Sequence, residues 1–183
     1  MLRDIKITIN SNSMFKSWKL YFLLLVVLIG AVLLLKKPNT KLELIVFVAP
    51  ECPISEAIIL NLKQISFEFN NDELHTTLVI PGSLYSQNEV DSFIKLNKIS
   101  FDVIIDSSAQ LVNKYKAQIT PEVFLINNEE IIYTGAVDDR AIDNEIIKQS
   151  ASENYLYDAI KNTLEGNEVK VKKTKAIGCF IEL

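Results

Sequence analysis

The feature that most constrains this chain is an unbroken apolar run of 16 residues, Leu20–Leu35. A helix of that length extends about 24 Å, slightly less than a hydrocarbon layer of about 30 Å. Lys19 and Lys36 flank the run and can extend to the headgroups, while Trp18 and Tyr21 suit the membrane interface. A cleavable signal peptide would have a small-residue cleavage site after the run, where leucines and lysines stand instead. The pattern therefore predicts a single-pass membrane anchor at residues 20–35.

Charge divides the chain at the same place. Residues 1–37 contain six basic residues and one acidic residue, whereas residues 38–183 contain 13 basic and 22 acidic residues. The basic leader favours a cytoplasmic N-terminus under the positive-inside rule. An acidic second part argues against a nucleic-acid partner. We predict four parts: a basic leader at 1–19, the anchor at 20–35, a globular domain at 38–166 and a C-terminal tail at 167–183.

Strands alternate with helices along the predicted domain. Apolar and β-branched runs predict five strands, at Lys41–Val48, Leu74–Pro81, Phe101–Ile105, Val123–Ile126 and Ile131–Thr134. Helical spacing of apolar residues predicts four helices, one beginning near Cys52 and the others at Ser86–Lys98, Ala109–Ala117 and Glu153–Leu164. This order predicts an α/β sandwich.

Cys52 lies where the first strand ends and the first helix begins. Pro53 suits the first helical position, where a missing N–H costs nothing. The positive end of a helix stabilises a thiolate, the nucleophilic form of cysteine, whereas Glu51 and Glu56 would raise the thiol pKa. The alternative is a buried, inert cysteine that packs as a small hydrophobic side chain. The turn before it, Pro50-Glu51, favours a functional thiol.

Four segments resemble one family. Ala49–Ser55 (APECPIS) after a strand resembles the active-site turn of the thioredoxin-like redoxins, and Thr120–Phe124 (TPEVF) resembles their threonine and cis-proline. Gly135–Asp139 and the tail segment Thr174–Cys179 are similar to bacterial membrane-associated members of this group, which is placed with the alkyl hydroperoxide reductase/thiol-specific antioxidant family. The resemblance runs from about Leu42 to Ile181.

The resemblance implies a thioredoxin-like α/β fold and an enzyme, a thiol–disulfide oxidoreductase acting on protein thiols or disulfides. Cys52 would attack the substrate disulfide. The residues implied to bind substrate are Pro53, Ser55, Thr120 and Pro121. The family chemistry needs no metal and no cofactor. Together with the anchor, it implies a bacterial inner-membrane protein whose domain faces the periplasm.

The sequence also departs from the family patterns. A dithiol thioredoxin has its second cysteine at the position of Ser55, so a disulfide within this turn is excluded. Peroxiredoxins have a threonine where Ala49 stands and an arginine near the thiolate, and the only arginine of residues 38–183 is Arg140. Some thioredoxins carry a buried acid where Val46 stands. The missing threonine and arginine count against peroxidase activity. The alternatives to an oxidoreductase are a peroxiredoxin-like peroxidase and a non-enzymatic module for copper delivery or respiratory-complex assembly.

Cys179 is the candidate for the resolving cysteine. It lies thirteen residues after Gly166, and at about 3.3 Å for each residue this segment reaches up to about 43 Å. A domain of about 146 residues has a radius of gyration of about 15 Å, so the tail is long enough for Cys179 to reach Cys52. Reach alone leaves three possibilities open: a Cys52–Cys179 pair, a free tail cysteine, or a cysteine paired with another protein.

Overall fold

The computed structural model describes residues 21–28, 41–70, 72–143 and 146–183. The chain divides into two compact units, Met1–Lys37 and Pro38–Leu183. In the first unit residues 21–28 are helical. The predicted leader and the remainder of the predicted anchor lie outside the described residues. Within the part of the chain that is described, no helix is both long enough and apolar enough to cross a bilayer.

The second unit is built on a five-stranded mixed sheet. The strands of the unit are β1 Leu42–Phe47, β2 Leu74–Pro81, β3 Asp102–Asp106, β4 Ile119–Thr120, β5 Glu122–Asn127, β6 Glu130–Gly135 and β7 Cys179–Phe180. The sheet has the order β3-β2-β1-β5-β6. Its first three strands run parallel, whereas β5 is antiparallel to β1 and β6 is antiparallel to β5. The two short strands, β4 and β7, form a separate antiparallel pair.

Four helices connect and cover these strands: α1 Pro53–Glu68, α2 Gln87–Leu96, α3 Gln110–Tyr115 and α4 Tyr155–Leu164. Ser86 caps α2, because its hydroxyl accepts from the backbone N–H of Glu89 while the Glu89 carboxylate accepts from the backbone of Ser86. Gly166, with φ +78°, follows the end of α4. The five predicted strands and four predicted helices are confirmed, each end within two residues of its predicted position.

Alternation along the strands builds a core on each face of the sheet. In β1, Leu44 and Val46 contribute to the larger core, into which α1, α2 and α4 pack. Phe47, on the opposite face, belongs to a smaller core with Phe124 and with residues of α3. Successive side chains of a strand point to opposite faces, so a continuous apolar run is what a sheet covered on both sides requires.

The tail adds structure that the strand pattern does not predict. The backbone N–H of Thr134 in β6 donates to the Lys172 oxygen at 3.1 Å, and the backbone N–H of Thr174 donates to the Thr134 oxygen at 3.0 Å. The tail therefore runs alongside the outer edge of β6 and pairs there at one parallel bridge, Thr134 with Lys173. It then crosses to β4, where its last strand, β7, forms.

Candidate active site

Cys52 occupies the position just before the first turn of α1. Its backbone is extended (φ −87°, ψ 113°), and Pro53 follows at the start of the helix. The backbone N–H of Cys52 donates to the Ala49 oxygen at 3.1 Å, which closes the turn between β1 and α1. Proline has no N–H to lose at this place, so the sequence Glu51-Cys52-Pro53 begins a helix immediately after the cysteine.

A cis peptide bond joins Thr120 to Pro121 opposite this turn. The bend directs the Thr120 carbonyl toward the thiol, and Cys52 Sγ donates to the Thr120 oxygen at 3.1 Å. Both Thr120 and Pro121 are buried. The structure thus brings together the cysteine turn and the Thr-Pro turn, 68 residues apart in sequence.

Cys179 completes the site. Its Sγ lies 2.9 Å from Cys52 Sγ and donates a hydrogen bond to it. Both cysteines are free thiols in this structure. Strand β7 holds Cys179 in place, because it pairs with Thr120 in the β4–β7 ladder, and the backbone N–H of Ile181 donates to the Gln118 oxygen at 2.9 Å. The structure thus places Cys179 in contact with Cys52, with no covalent bond between the two sulfur atoms.

Two glycines allow the tail to approach so closely. A Cβ atom at Gly178 would collide with the carbonyl oxygen of Thr120, and one at Gly135 would collide with Thr174. Gly135 also has φ +132°, a backbone conformation that side chains disfavour. The tail thus lies in direct backbone contact with β4 and β6.

Thr174 anchors the tail before it reaches the cysteines. Its hydroxyl accepts from the backbone N–H of Ala136 at 2.9 Å and lies 2.7 Å from the Tyr133 hydroxyl. Tyr133 in turn donates to the Ala136 carbonyl at 2.6 Å. The three groups form a closed network that fixes the tail five residues before Cys179.

The two thiols differ in acidity. Burial raises the pKa of Cys52, but hydrogen bonds from Cys179 and from the backbone and hydroxyl of Ser55 outweigh it, so the pKa lies below the ordinary cysteine value. Burial, together with the hydrogen bond to Cys52, raises the pKa of Cys179 to about 11. Cys52 is therefore the more acidic of the two thiols, and Cys179 keeps its proton to higher pH.

Ser55 lies underneath the thiol. It is fully buried, and its Oγ accepts from the backbone N–H of Ala49 at 3.1 Å. The remaining hydroxyl hydrogen is free to donate to Cys52. Pro53, by contrast, is exposed at the rim of the site. Of these two predicted substrate residues, Pro53 is at the surface, whereas Ser55 contacts the cysteine turn.

A cleft of about 400 Å³ lies beside the two cysteines. Its lining residues are Ala49, Glu51, Cys52, Pro81, Leu84, Tyr85, Thr120, Cys179, Phe180, Ile181 and Glu182. Burial raises the pKa of Tyr85, and the negative charges of Glu51 and of the cysteines raise it further. Sequence reasoning missed Tyr85, Gly178 and the anchoring role of Thr174. The glycine directly before Cys179 indicated that another backbone approaches closely there, whereas no feature of the neighbouring sequence indicated Tyr85.

Potential metal ligands are sparse around the site. In the described ranges there is no group of three or more histidine, cysteine, aspartate or glutamate side chains that could hold a metal ion. His75 lies at the start of β2, where its Nε2 is 3.2 Å from Asp102 Oδ2.

Comparisons with known proteins identify the fold and the family. Two solved structures are similar over most of the chain: a hypothetical protein from Sinorhizobium meliloti 1021 (22% identity, TM-score 0.68, covering 78% of this chain and 80% of that one) and an uncharacterized conserved protein from Geobacillus kaustophilus (19%, 0.69, 79% and 79%). At this identity they establish the fold alone. The fold is thioredoxin-like, with a central mixed sheet.

A curated relative is similar over a shorter segment. It is the sporulation thiol-disulfide oxidoreductase A of Bacillus subtilis (strain 168), 34% identical over 53 residues, which are 29% of this chain and 32% of that protein. The profile of the AhpC/TSA family matches residues 33–134, which include Cys52 and the Thr120–Pro121 bond but not Cys179. This match spans more than half of the chain, and the chain therefore belongs to the AhpC/TSA family.

Proposed function

We propose that this protein is a thiol–disulfide oxidoreductase whose redox pair is Cys52 and Cys179. The observation that carries the proposal is the 2.9 Å separation of the two sulfur atoms beside the cis Thr120–Pro121 bond. A disulfide bond is about 2.05 Å long, so a movement of about 1 Å would join them. Cys179 takes the place of the second cysteine that the turn lacks at Ser55.

The reaction exchanges one disulfide for another. In one direction the protein dithiol gives two electrons to a substrate disulfide, which becomes two thiols, and the Cys52–Cys179 disulfide forms. In the opposite direction a substrate dithiol reduces this disulfide. The lowered pKa of Cys52 suits either direction, because a thiolate is both the attacking and the leaving group in thiol–disulfide exchange.

The comparisons support this class of reaction. The Bacillus subtilis relative is named a thiol-disulfide oxidoreductase, and the family match covers the cysteine turn. The peroxidase alternative needs an arginine beside the thiolate. Here Arg140 Nε donates to Asp138 Oδ2 at 2.9 Å, so this charge is already neutralised by a carboxylate.

The experiment is to oxidise the purified full-length chain with glutathione disulfide and to map its disulfides by peptide mass. We expect a peptide pair that joins Cys52 to Cys179, and turnover of insulin disulfides with dithiothreitol as electron donor. Cys52→Ser should abolish both. Ser92→Ala, on the exposed side of α2, is the matched control and should leave both unchanged. Turnover that persists in Cys52→Ser, or a wild-type chain without either property, would contradict the proposal.

We also propose that residues 20–35 anchor the protein in a bacterial inner membrane with its domain in the periplasm. Support comes from the apolar run and from the oxidising character of that compartment, in which a cysteine pair can cycle. Val27→Arg places a charge at the centre of the run and costs about 2.5–3.5 kcal/mol of insertion free energy. We expect this variant to lose carbonate-resistant membrane association, whereas Phe22→Leu keeps it. Equal fractionation of both variants would argue against the anchor.

A further inference from the structure

The two cysteine residues differ in their exposure to solvent. Cys52 is 2% exposed and belongs to a buried cluster with Ala49 and Ile54, against which Tyr85 and Ile177 pack. Cys179 is partly exposed and is followed by Phe180, which is 79% exposed. The thiol with the lower pKa is therefore the covered one, and its covering includes Cys179 itself.

Strand β7 also occupies the backbone position beside the cis-proline. Thr120 pairs with Cys179 and Ile119 with Phe180, and the Thr120 hydroxyl donates to the Cys179 oxygen at 3.4 Å. A substrate polypeptide cannot pair with Thr120 while β7 is there. The sequence-based expectation that Thr120 pairs with a substrate chain thus requires the tail to leave, and the tail is fixed on both sides of Cys179, by Thr174 and by Ile181.

Resting on the function proposed above, we propose that the external partner forms its mixed disulfide with Cys179, and that Cys52 is the internal member of the pair. This reverses the roles that the sequence suggests, in which Cys52 attacks and Cys179 resolves. Joining the sulfurs shortens their separation by about 1 Å, so the groups that cover Cys52 remain in place in the disulfide form.

An external thiol reduces the disulfide form of the protein in two successive exchanges. A thiolate attacks Cys179 Sγ, a sulfur–sulfur bond forms between them, the Cys52–Cys179 bond breaks, and its electron pair passes to Cys52 Sγ. A second external thiolate attacks the first external sulfur and releases Cys179 as a thiolate, which takes a proton from water. Two external thiols become one disulfide, and the protein gains two electrons.

The acidity of the two thiols supports this direction of attack. Exchange is faster when the departing sulfur has the lower pKa. Attack at Cys179 releases Cys52, which keeps the backbone and side-chain hydrogen bonds of Ser55 that lower its pKa. Attack at Cys52 would instead release Cys179, whose pKa burial raises and which, among the residues that the structure describes, has no donor such as Ser55 beside it to lower it. The partial exposure of Cys179 and the hydrogen bonds that Ser55 makes to Cys52 therefore point to the same reaction.

The test uses 2-mercaptoethanol as a neutral external thiol. The oxidised full-length chain is mixed with it, quenched in acid at the earliest times, denatured and alkylated with N-ethylmaleimide, and the adducts are mapped by peptide mass. We expect the mercaptoethanol adduct on Cys179 and the maleimide on Cys52, with at least a tenfold preference (about 1.4 kcal/mol). An equal or greater amount of mercaptoethanol on Cys52 would overturn the inference.

Two further arms make the result decisive. A chain that never forms the Cys52–Cys179 disulfide would overturn the proposed function, whereas a disulfide that opens with the adduct on Cys52 would overturn this inference alone. Gly178→Ala, which displaces β7 from Thr120, should expose Cys52 and reduce the preference for Cys179. An unchanged preference in that variant would show that the docked strand does not control which sulfur is attacked, and would also contradict the inference.

Discussion

The central sheet and the docked tail differ in how much apolar surface and how many hydrogen bonds hold them in place. In the sheet, strands of five to eight residues pair along their whole length, and side chains such as Leu44, Leu78 and Leu125 are almost completely buried. The tail pairs through a two-residue strand, one bridge to β6 and a few hydrogen bonds. Each fully buried leucine contributes about 1.5–3 kcal/mol, whereas a hydrogen bond contributes about 0.5–1.5 kcal/mol. The sheet therefore determines whether the domain folds, and the tail determines whether the cysteines meet.

The largest expected effect comes from a cavity in the sheet. Leu78→Ala, at the centre of β2, should lower the free energy of unfolding by about 2–5 kcal/mol, because buried methyl groups are lost and the surroundings relax only partly. Urea denaturation of the reduced protein measures this loss. The equilibrium constant between the dithiol and the disulfide, measured in glutathione buffers under native conditions, should stay the same. A large change in that constant would show that packing in the sheet also controls whether the cysteines pair, which would contradict the comparison.

Gly178→Ala changes the tail and should affect the disulfide equilibrium more than the stability of the domain. The new methyl group collides with the Thr120 oxygen, and displacing it should cost about 1–3 kcal/mol. The equilibrium constant for closing the Cys52–Cys179 disulfide should fall roughly 5- to 150-fold, with little change in the urea midpoint of the dithiol form. Gly166→Ala is the control, because a Cβ there meets no atom within 4 Å although its φ of +78° is strained. If both variants weaken the disulfide equally, close approach of the tail is not the cause.

Thr174→Val should have a smaller effect of the same kind. Valine keeps the shape of the side chain but leaves the Ala136 N–H without its acceptor and the Tyr133 hydroxyl without one of its partners, at a cost of about 1 kcal/mol. Faster amide hydrogen exchange at Ile181 would report the loosened tail. Thr174→Ser keeps the hydroxyl and should exchange nearly as the wild type does. Equal rates in the valine and serine variants would remove this network from the explanation.

The smallest expected effect is on acidity at the junction of the two regions. Among the groups that lower the pKa of Cys52, the Cys179 side chain is the largest contributor. Cys179→Ala removes this donor, so the pKa of Cys52 should rise and the thiolate fraction at neutral pH should fall. The ultraviolet absorbance of the thiolate during a pH titration measures the change. Cys179→Ser retains an O–H donor and should show a smaller rise; a lower pKa in the alanine variant would contradict the role of the tail.

The same difference explains what the sequence could predict. Runs such as Leu74–Pro81 are long and apolar, so their burial follows from local pattern, and the helix beginning after Cys52 follows from Pro53. The pairing of β4 with β7 involves two residues on each side and no periodicity. Chain length showed that Cys179 could reach Cys52, but its position depends on Gly178 and Thr174 meeting backbone that is distant in sequence. Tyr85 comes into the site through the packing of a loop and carries no local signal.

The sequence separation of the two cysteines has a consequence for the whole domain. They lie 127 residues apart, so a bond between them would enclose the helices α1–α4 and every strand of the sheet except β1 in one covalent loop. Such a loop lowers the conformational entropy of the unfolded chain, which for a loop of about 100 residues stabilises the folded state by about 4.7 kcal/mol. Each change of redox state would then also change the free energy of unfolding of the domain. By the same linkage, folding would make the disulfide harder to reduce, so the redox potential of this pair would record the integrity of the fold around it.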